Sequence, residues 1–247
     1  MGVTDRELRA LGEDGFLVKR RLIDDAWLRQ IQREVDGLHE AMAAERPQGV
    51  GVSWEEYDDP GRPKRIRQLM HAELVSEGLK RLVHADEVLD VLEAVMGPDI
   101  SLFHCKLLMK AARDGTITPW HQDYAYWARH NNSPLMMNCM LAIDDQDAEN
   151  GAIQFVPGSH KLGLLEHDRR NTSFGVFLPG YFQEREDAVL LELNAGDAVF
   201  FNSLVIHGSD ANRSPRDRRA CTIAYDVTGN GYCREVVRGR PLAERNA

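Results

Sequence analysis

His121 and Asp123 stand two apart in the segment Pro119-Trp120-His121-Gln122-Asp123. On an extended strand, residues i and i+2 project from one face, so an imidazole and a carboxylate there can converge on one point. His207 offers a third ligand from the strand-like run Phe200-Phe201-Asn202-Ser203-Leu204-Val205-Ile206-His207. Two histidines and one carboxylate make the facial triad of non-haem Fe(II) oxygenases, which leaves three coordination positions open. An HxD pair alone is a weak signal, because a single histidine is more often a hydrogen-bonded core or surface residue. The weight therefore falls on the residues C-terminal to His207. Arg218 comes eleven residues later, at the start of the apolar run Arg219-Ala220-Cys221-Thr222-Ile223-Ala224-Tyr225. A strand antiparallel to the one bearing His207 can place that guanidinium inside a barrel. Its two parallel N–H donors suit the distal carboxylate of a dicarboxylate whose other end chelates a metal. Ser209 can add a hydroxyl to the same carboxylate.

These residues need strands to hold them, and the chain supplies strands after its first hundred residues. Short β-branched or aromatic runs at 101–110, 135–143, 152–156, 188–193, 197–201, 204–207 and 219–227 are separated by Gly, Pro, Asn and Asp. Before them the period is helical. Leu28, Ile31, Val35, Leu38 and Met42 recur at three- and four-residue steps after the cap candidates Asp24 and Asp25, and a second helical stretch covers 72–96, closed by Gly97-Pro98. Residues 46–63 form a Gly-, Pro- and charge-rich break, and 160–186 reads as a long aromatic insertion loop. Many short strands behind a helical preface predict a sandwich or barrel buttressed by helices.

Composition narrows the class. Of the 247 residues, 43% are hydrophobic and 28% charged, which excludes a largely disordered chain. The net charge of −9 argues against nucleic acid or an anionic membrane as principal partner. No apolar run reaches the ~20 residues of a membrane span, and the N-terminus is charged where a signal peptide would be apolar. A cytoplasmic protein is expected. The four cysteines, Cys105, Cys139, Cys221 and Cys233, show no paired spacing and read as reduced thiols.

Four motifs in order carry a resemblance to a known family. HQDYAYW at 121–127, NGAIQFVPGSH at 150–160, GDAVFF at 196–201 and HGSDANRSPRDRRA at 207–220 resemble the phytanoyl-CoA dioxygenase family of Fe(II)/2-oxoglutarate-dependent oxygenases. DGFLVKRRLIDDAWL at 14–28 and MGPDI at 96–100 extend the likeness over most of the chain. The resemblance implies His121, Asp123 and His207 as iron ligands, Arg218 with Ser209 as the 2-oxoglutarate clamp, and Lys110 near the cosubstrate. It implies a mainly β fold with a helical N-terminal part, a double-stranded β-helix or jelly roll. One domain over 1–247 is expected, with helical support at 1–98, the jelly-roll core at 99–228 and a tail at 229–247. The implied cofactors are Fe(II), 2-oxoglutarate and O2, and the implied reaction couples decarboxylation of 2-oxoglutarate to attack on a C–H bond. Halogenation is disfavoured, since halogenating relatives replace the carboxylate that Asp123 retains.

Other residues carry two readings. Tyr124, Tyr126 and Trp127 can wall a substrate or fill a barrel mouth, and Arg67, with Lys64 and Arg65, can meet a negative group on a small organic substrate such as a natural-product intermediate. His104 can face the cavity or sit satisfied in the core, whereas His160, beside Pro157-Gly158, reads as turn structure. Two alternatives to the oxygenase stay open on residues alone: a non-redox zinc or manganese enzyme on a cupin-like barrel, and a non-catalytic jelly-roll binding protein. The sequence leaves oligomeric state and substrate identity open.

Overall fold

A computed structural model of the chain describes residues 3–56, 61–168, 175–180 and 185–240. Helix α1 (Asp5–Asp14) begins in a capping box, in which the Thr4 hydroxyl accepts from the Glu7 amide while the Glu7 carboxylate accepts from the Thr4 amide. Strand β1 (Phe16–Lys19) follows, then α2 (Asp25–Val35), started by Asp24 as its cap, and α3 (Leu38–Ala44). The sequence pattern predicts one helix through Leu28 and Met42. The chain instead breaks at Asp36 and Gly37, the latter in the left-handed region at φ 77°, where glycine alone carries no Cβ penalty. The break re-aims α3 while keeping all five apolar positions buried.

Strands β2 (Gly51–Trp54) and β3 (Ile66–Met70) occupy what reads as loop, and the stretch from 72 to 96 divides into a single 3₁₀ turn, α4 (Glu77–Val83) and α5 (Asp86–Met96). Ser76 caps the start of α4, which separates it from the 3₁₀ turn. The remaining elements are β4 (Ile100–Lys110), β5 (Thr118–His121), α6 (Tyr124–Trp127), β6 (Met136–Ala142), β7 (Ile153–Phe155), β8 (Val189–Leu190), β9 (Ala198–Asn202), β10 (His207–Ser209), β11 (Arg218–Val227) and β12 (Glu235–Arg238). Strand β10 starts later than the expected 204–207, because Asn202 accepts from the Leu204 and Val205 amides and makes a turn there. The expected tail contributes β12, and the expected helical preface contributes β1, β2 and β3 to the large sheet.

Two antiparallel sheets result. The larger runs β1-β9-β6-β11-β4-β3-β2, with β12 also on β4, and the smaller runs β5-β10-β7-β8. The alternation of β4, β6 and β11 explains their placement. Cys105, Leu107 and Met109, Cys139 and Leu141, and Cys221, Ile223 and Tyr225 turn to the helices, against Trp27, Ile31, Leu79 and Leu92. The opposite faces, with Met140, Val199, Phe201 and Ala220, meet Ile153 and Phe155 of the small sheet. All four cysteines are free, three of them buried on the helix side. Among the described residues no helix is long and apolar enough to cross a membrane.

Candidate active site

The site lies between the two sheets. His121 ends β5 and His207 starts β10, and the antiparallel register sets them directly opposite each other. Asp123 corrects the extended-strand expectation. Its backbone is helical, φ −57° and ψ −36°, at the head of α6, so the carboxylate reaches the histidines from the start of a helix. His121 Nε2 lies 3.7 Å from Asp123 Oδ1, and His207 Nε2 lies 3.7 Å from Oδ2. These separations are too long for hydrogen bonds and leave room for a shared cation. One ligand atom from each residue falls within 4.8 Å of the others.

The surroundings set the donor atoms. Each imidazole turns Nδ1 to a carbonyl, His121 to Pro119 O at 2.8 Å and His207 to Val205 O at 3.0 Å. A carbonyl only accepts, so Nδ1 carries the proton and the Nε2 lone pair faces the centre. Asn138 Nδ2 donates to Asp123 Oδ2 at 3.1 Å. Burial acts to raise the Asp123 pKa, but Lys106, His207 and His121 overcome it and hold the carboxyl far below the usual range. Burial, with His121 adding to it, brings His207 down to about 4. At neutral pH the site therefore presents an anion and a neutral His207, the states a metal requires.

Arg218 opens β11 opposite Lys110, the last residue of β4. Both are buried. Arg218 Nη2 donates to Gly151 O, while its Nε is buried with no partner among the described residues. Burial lowers its pKa to about 10, which leaves the guanidinium charged at neutral pH. Lys110 Nζ donates to the carbonyls of Asp210, at 2.8 Å, and Thr116. Burial first, then Arg218, pushes its pKa well down. Ser209 ends β10 opposite Ile153 and lines the same cavity of about 510 Å³. Arg219, one residue on, points the other way and binds Asp144 and Asp36.

Of the other expected residues, Arg67, Tyr126 and Trp127 line the cavity. Tyr126 donates its hydroxyl to Val176 O at 3.0 Å. Tyr124 does not reach the cavity. The helical turn at Asp123 swings it onto Phe103, Met136 and Leu204, with its hydroxyl on Asn131 O. His160 packs under Gly15, as structure. Phe174, Tyr181 and Phe182, in the expected aromatic loop, lie outside the described residues.

Three residues beyond the expected set shape the site, and His104 takes the cavity-facing one of its two readings. His104 and Lys106 share the cavity face of β4 with Lys110, a signal available in the i, i+2 spacing. Asn138 and Gln122 had no such signal. Gln122 donates to Gly163 O and Leu204 O and accepts from Leu165 N, tying two distant segments beside the triad.

The sheets, the triad and the buried arginine define a double-stranded β-helix oxygenase. The model for phytanoyl-CoA dioxygenase (PhyH) matches residues 11–220, and the chain belongs to that family. It is an Fe(II)- and 2-oxoglutarate-dependent oxygenase that uses O2. It is 27% identical to L-proline trans-4-hydroxylase of Streptomyces griseoviridis, over 89% of this chain and 85% of that one. It is 30% identical to peroxisomal phytanoyl-CoA dioxygenase of Homo sapiens, over 86% of this chain, and spans 65% of that protein's length. The fold matches that of EctD from S. alaskensis, solved with 2-oxoglutarate and 5-hydroxyectoine, at a TM-score of 0.73 and 18% identity, covering 97% of this chain and 82% of EctD.

Proposed function

We propose that this enzyme oxidises a C–H bond of a small organic substrate, with His121, Asp123 and His207 holding Fe(II) and with Arg218 and Ser209 holding the distal carboxylate of 2-oxoglutarate. The carrying observation is the pairing of two features in one cavity. Three ligand atoms converge with their lone pairs inward, and a buried guanidinium keeps an unpartnered N–H on the same wall.

When bound, the metal supplies reductive activation of O2 coupled to decarboxylation of 2-oxoglutarate to succinate and CO2. The chain's contribution is placement. Carbonyls hold the Nδ1 protons of His121 and His207 and so turn their Nε2 lone pairs inward, burial keeps His207 neutral, and Asn138 fixes the carboxylate of Asp123. Arg218 can give a carboxylate two aligned N–H bonds, the geometry that lysine lacks. Met140, Ile153, Phe177 and Phe201 line the cavity and keep water from the reacting atoms. Lys110 acts here as a positioning residue: its ammonium holds the backbone at Thr116 and Asp210, the turns that flank Ser209 and β5. A non-redox metal enzyme would have no use for the Arg218 receptor.

The cavity suits a molecule of natural-product or amino-acid size. The test is succinate release: the protein with Fe(II), 2-oxoglutarate and O2 is screened against a library of small organic compounds. Substrate-stimulated succinate supports the reading, and succinate unaffected by Asp123→Ala contradicts it.

A further inference from the structure

The cavity is cationic, although the chain carries a net charge of −9. Arg67, Lys106, Lys110 and Arg218 line it, against the single carboxylate of Asp123 among the described residues. Asp123 is taken up by the metal, Arg218 by the cosubstrate, Lys110 by two backbone carbonyls, and Arg67 has a partner of its own. Lys106 is left over. Among the described residues no carboxylate lies within ion-pair distance of its Nζ; its charge acts on Asp123 only at longer range, and it sits over the ring of Trp127, 5.8 Å away.

The position of Lys106 separates it from the cosubstrate clamp. It stands opposite Thr222 on β11, four residues before Lys110, which is opposite Arg218. Four strand residues span roughly 13 Å. The contact with Trp127 shows that Lys106 leans away from Arg218, towards α6. His104 is its neighbour on the same face of β4, packed edge-on against Trp127 at 5.3 Å. His104 Nε2 is buried without a hydrogen-bond partner. A half-buried ammonium and a buried, unsatisfied imidazole nitrogen thus share one end of the cavity, next to the metal triad. Leaving the buried His104 nitrogen without a partner is costly unless a ligand supplies one, and the ammonium beside it favours an anionic ligand.

We propose that Lys106 and His104 receive a carboxylate group of the substrate, and that the substrate of this enzyme is accordingly an organic acid rather than a neutral molecule. This inference rests on the oxygenase reading above. It makes Lys106 the specificity-determining residue and places the anion at the end of the cavity opposite the 2-oxoglutarate carboxylate that Arg218 holds. The aromatic edges of Phe103 and Trp127 beside it suit the carbon skeleton of such an acid.

The test compares benzoate with benzamide, which share shape and differ in charge. The protein is loaded anaerobically with Fe(II) and 2-oxoglutarate, the visible charge-transfer band is recorded, and each probe is then titrated by calorimetry. A charged hydrogen-bond partner corresponds to roughly tenfold or more in affinity, so benzoate is expected to bind about tenfold more tightly than benzamide. Lys106→Gln removes that preference, Lys106→Arg retains it, and both variants keep 2-oxoglutarate affinity within about twofold of wild type. Equal or absent binding of the two probes overturns the inference, as does a preference that survives Lys106→Gln. A large loss of 2-oxoglutarate affinity in Lys106→Gln also overturns it and assigns the lysine to the cosubstrate. Absence of the band in the wild type sinks the oxygenase reading and this inference with it, whereas a normal band without a benzoate preference sinks this inference alone.

Discussion

His207 stands directly opposite His121 in the β5–β10 pairing, and the two imidazole centroids lie 4.2 Å apart. The same register that builds the small sheet therefore places two of the three proposed metal ligands. Because the ligands act as one unit, His121→Ala and His207→Ala are each expected to abolish Fe(II) retention, and the double variant to be no worse than either single one. Metal content after desalting checks this. Iron retained by both single variants would break the assignment.

Asn138 offers a finer probe, since it touches Asp123 and no other expected ligand. Asn138→Leu keeps the volume and removes the donor. Metal affinity is expected to fall about tenfold, within the range known for partners of metal ligands. Competition with a colorimetric chelator measures it, and unchanged affinity would show that the Asn138 contact does not orient the carboxylate.

Arg218 and Arg219 form an internal control on one strand. Arg218→Ala removes a buried charged partner, which costs on the order of 2–4 kcal/mol, or roughly 30- to 1000-fold in 2-oxoglutarate affinity, and Arg218→Lys is expected to lose less. Arg219 is bound to Asp144 and Asp36 on the outer side. Arg219→Ala should lower thermal stability and leave cosubstrate affinity alone. Anaerobic titration of 2-oxoglutarate separates them, and the reverse pattern would place the clamp one residue away.

The triad was legible because residue type and spacing carried it: HxD, a later histidine and, eleven residues on, an arginine. What was not legible was how Asp123 arrives. The turn after Gln122 is held by Tyr124 N on Ser203 O and by the Gln122 side chain on Gly163 and Leu204, partners 41 to 82 residues away. A local period cannot report contacts of that range, and the same turn removed Tyr124 from the expected substrate wall while leaving Tyr126 and Trp127 on it. The division of the first helix at Gly37 and the strands β1 to β3 were hidden for a related reason. Strands that pair with β4 and β9 are specified by those partners, more than by their own short runs.

Acid should destabilise the metal-free protein. His207 titrates at about 4 in the fold against an ordinary 6.5, because burial and His121 disfavour its charged form. Between those values the unfolded chain binds the proton and the folded one does not, so stability is lost as pH falls from about 6.5 towards 4. His104, also driven well down by burial, acts in the same direction. Melting temperatures of the metal-free protein at pH 7 and pH 5 check this. His104→Gln is expected to shrink the difference, and a higher melting temperature at pH 5 than at pH 7 would contradict the account.

Anaerobic absorption spectroscopy shows whether His121, Asp123 and His207 bind Fe(II) while Arg218 orients 2-oxoglutarate upon it. Fe(II) added to wild-type protein with 2-oxoglutarate should give the weak visible metal-to-ligand charge-transfer band of such chelates. The band should vanish in His207→Ala at any 2-oxoglutarate concentration, and return in Arg218→Ala when 2-oxoglutarate is raised roughly 100-fold. A wild-type protein without the band, or a His207→Ala variant that keeps it, would show that these residues do not hold the iron.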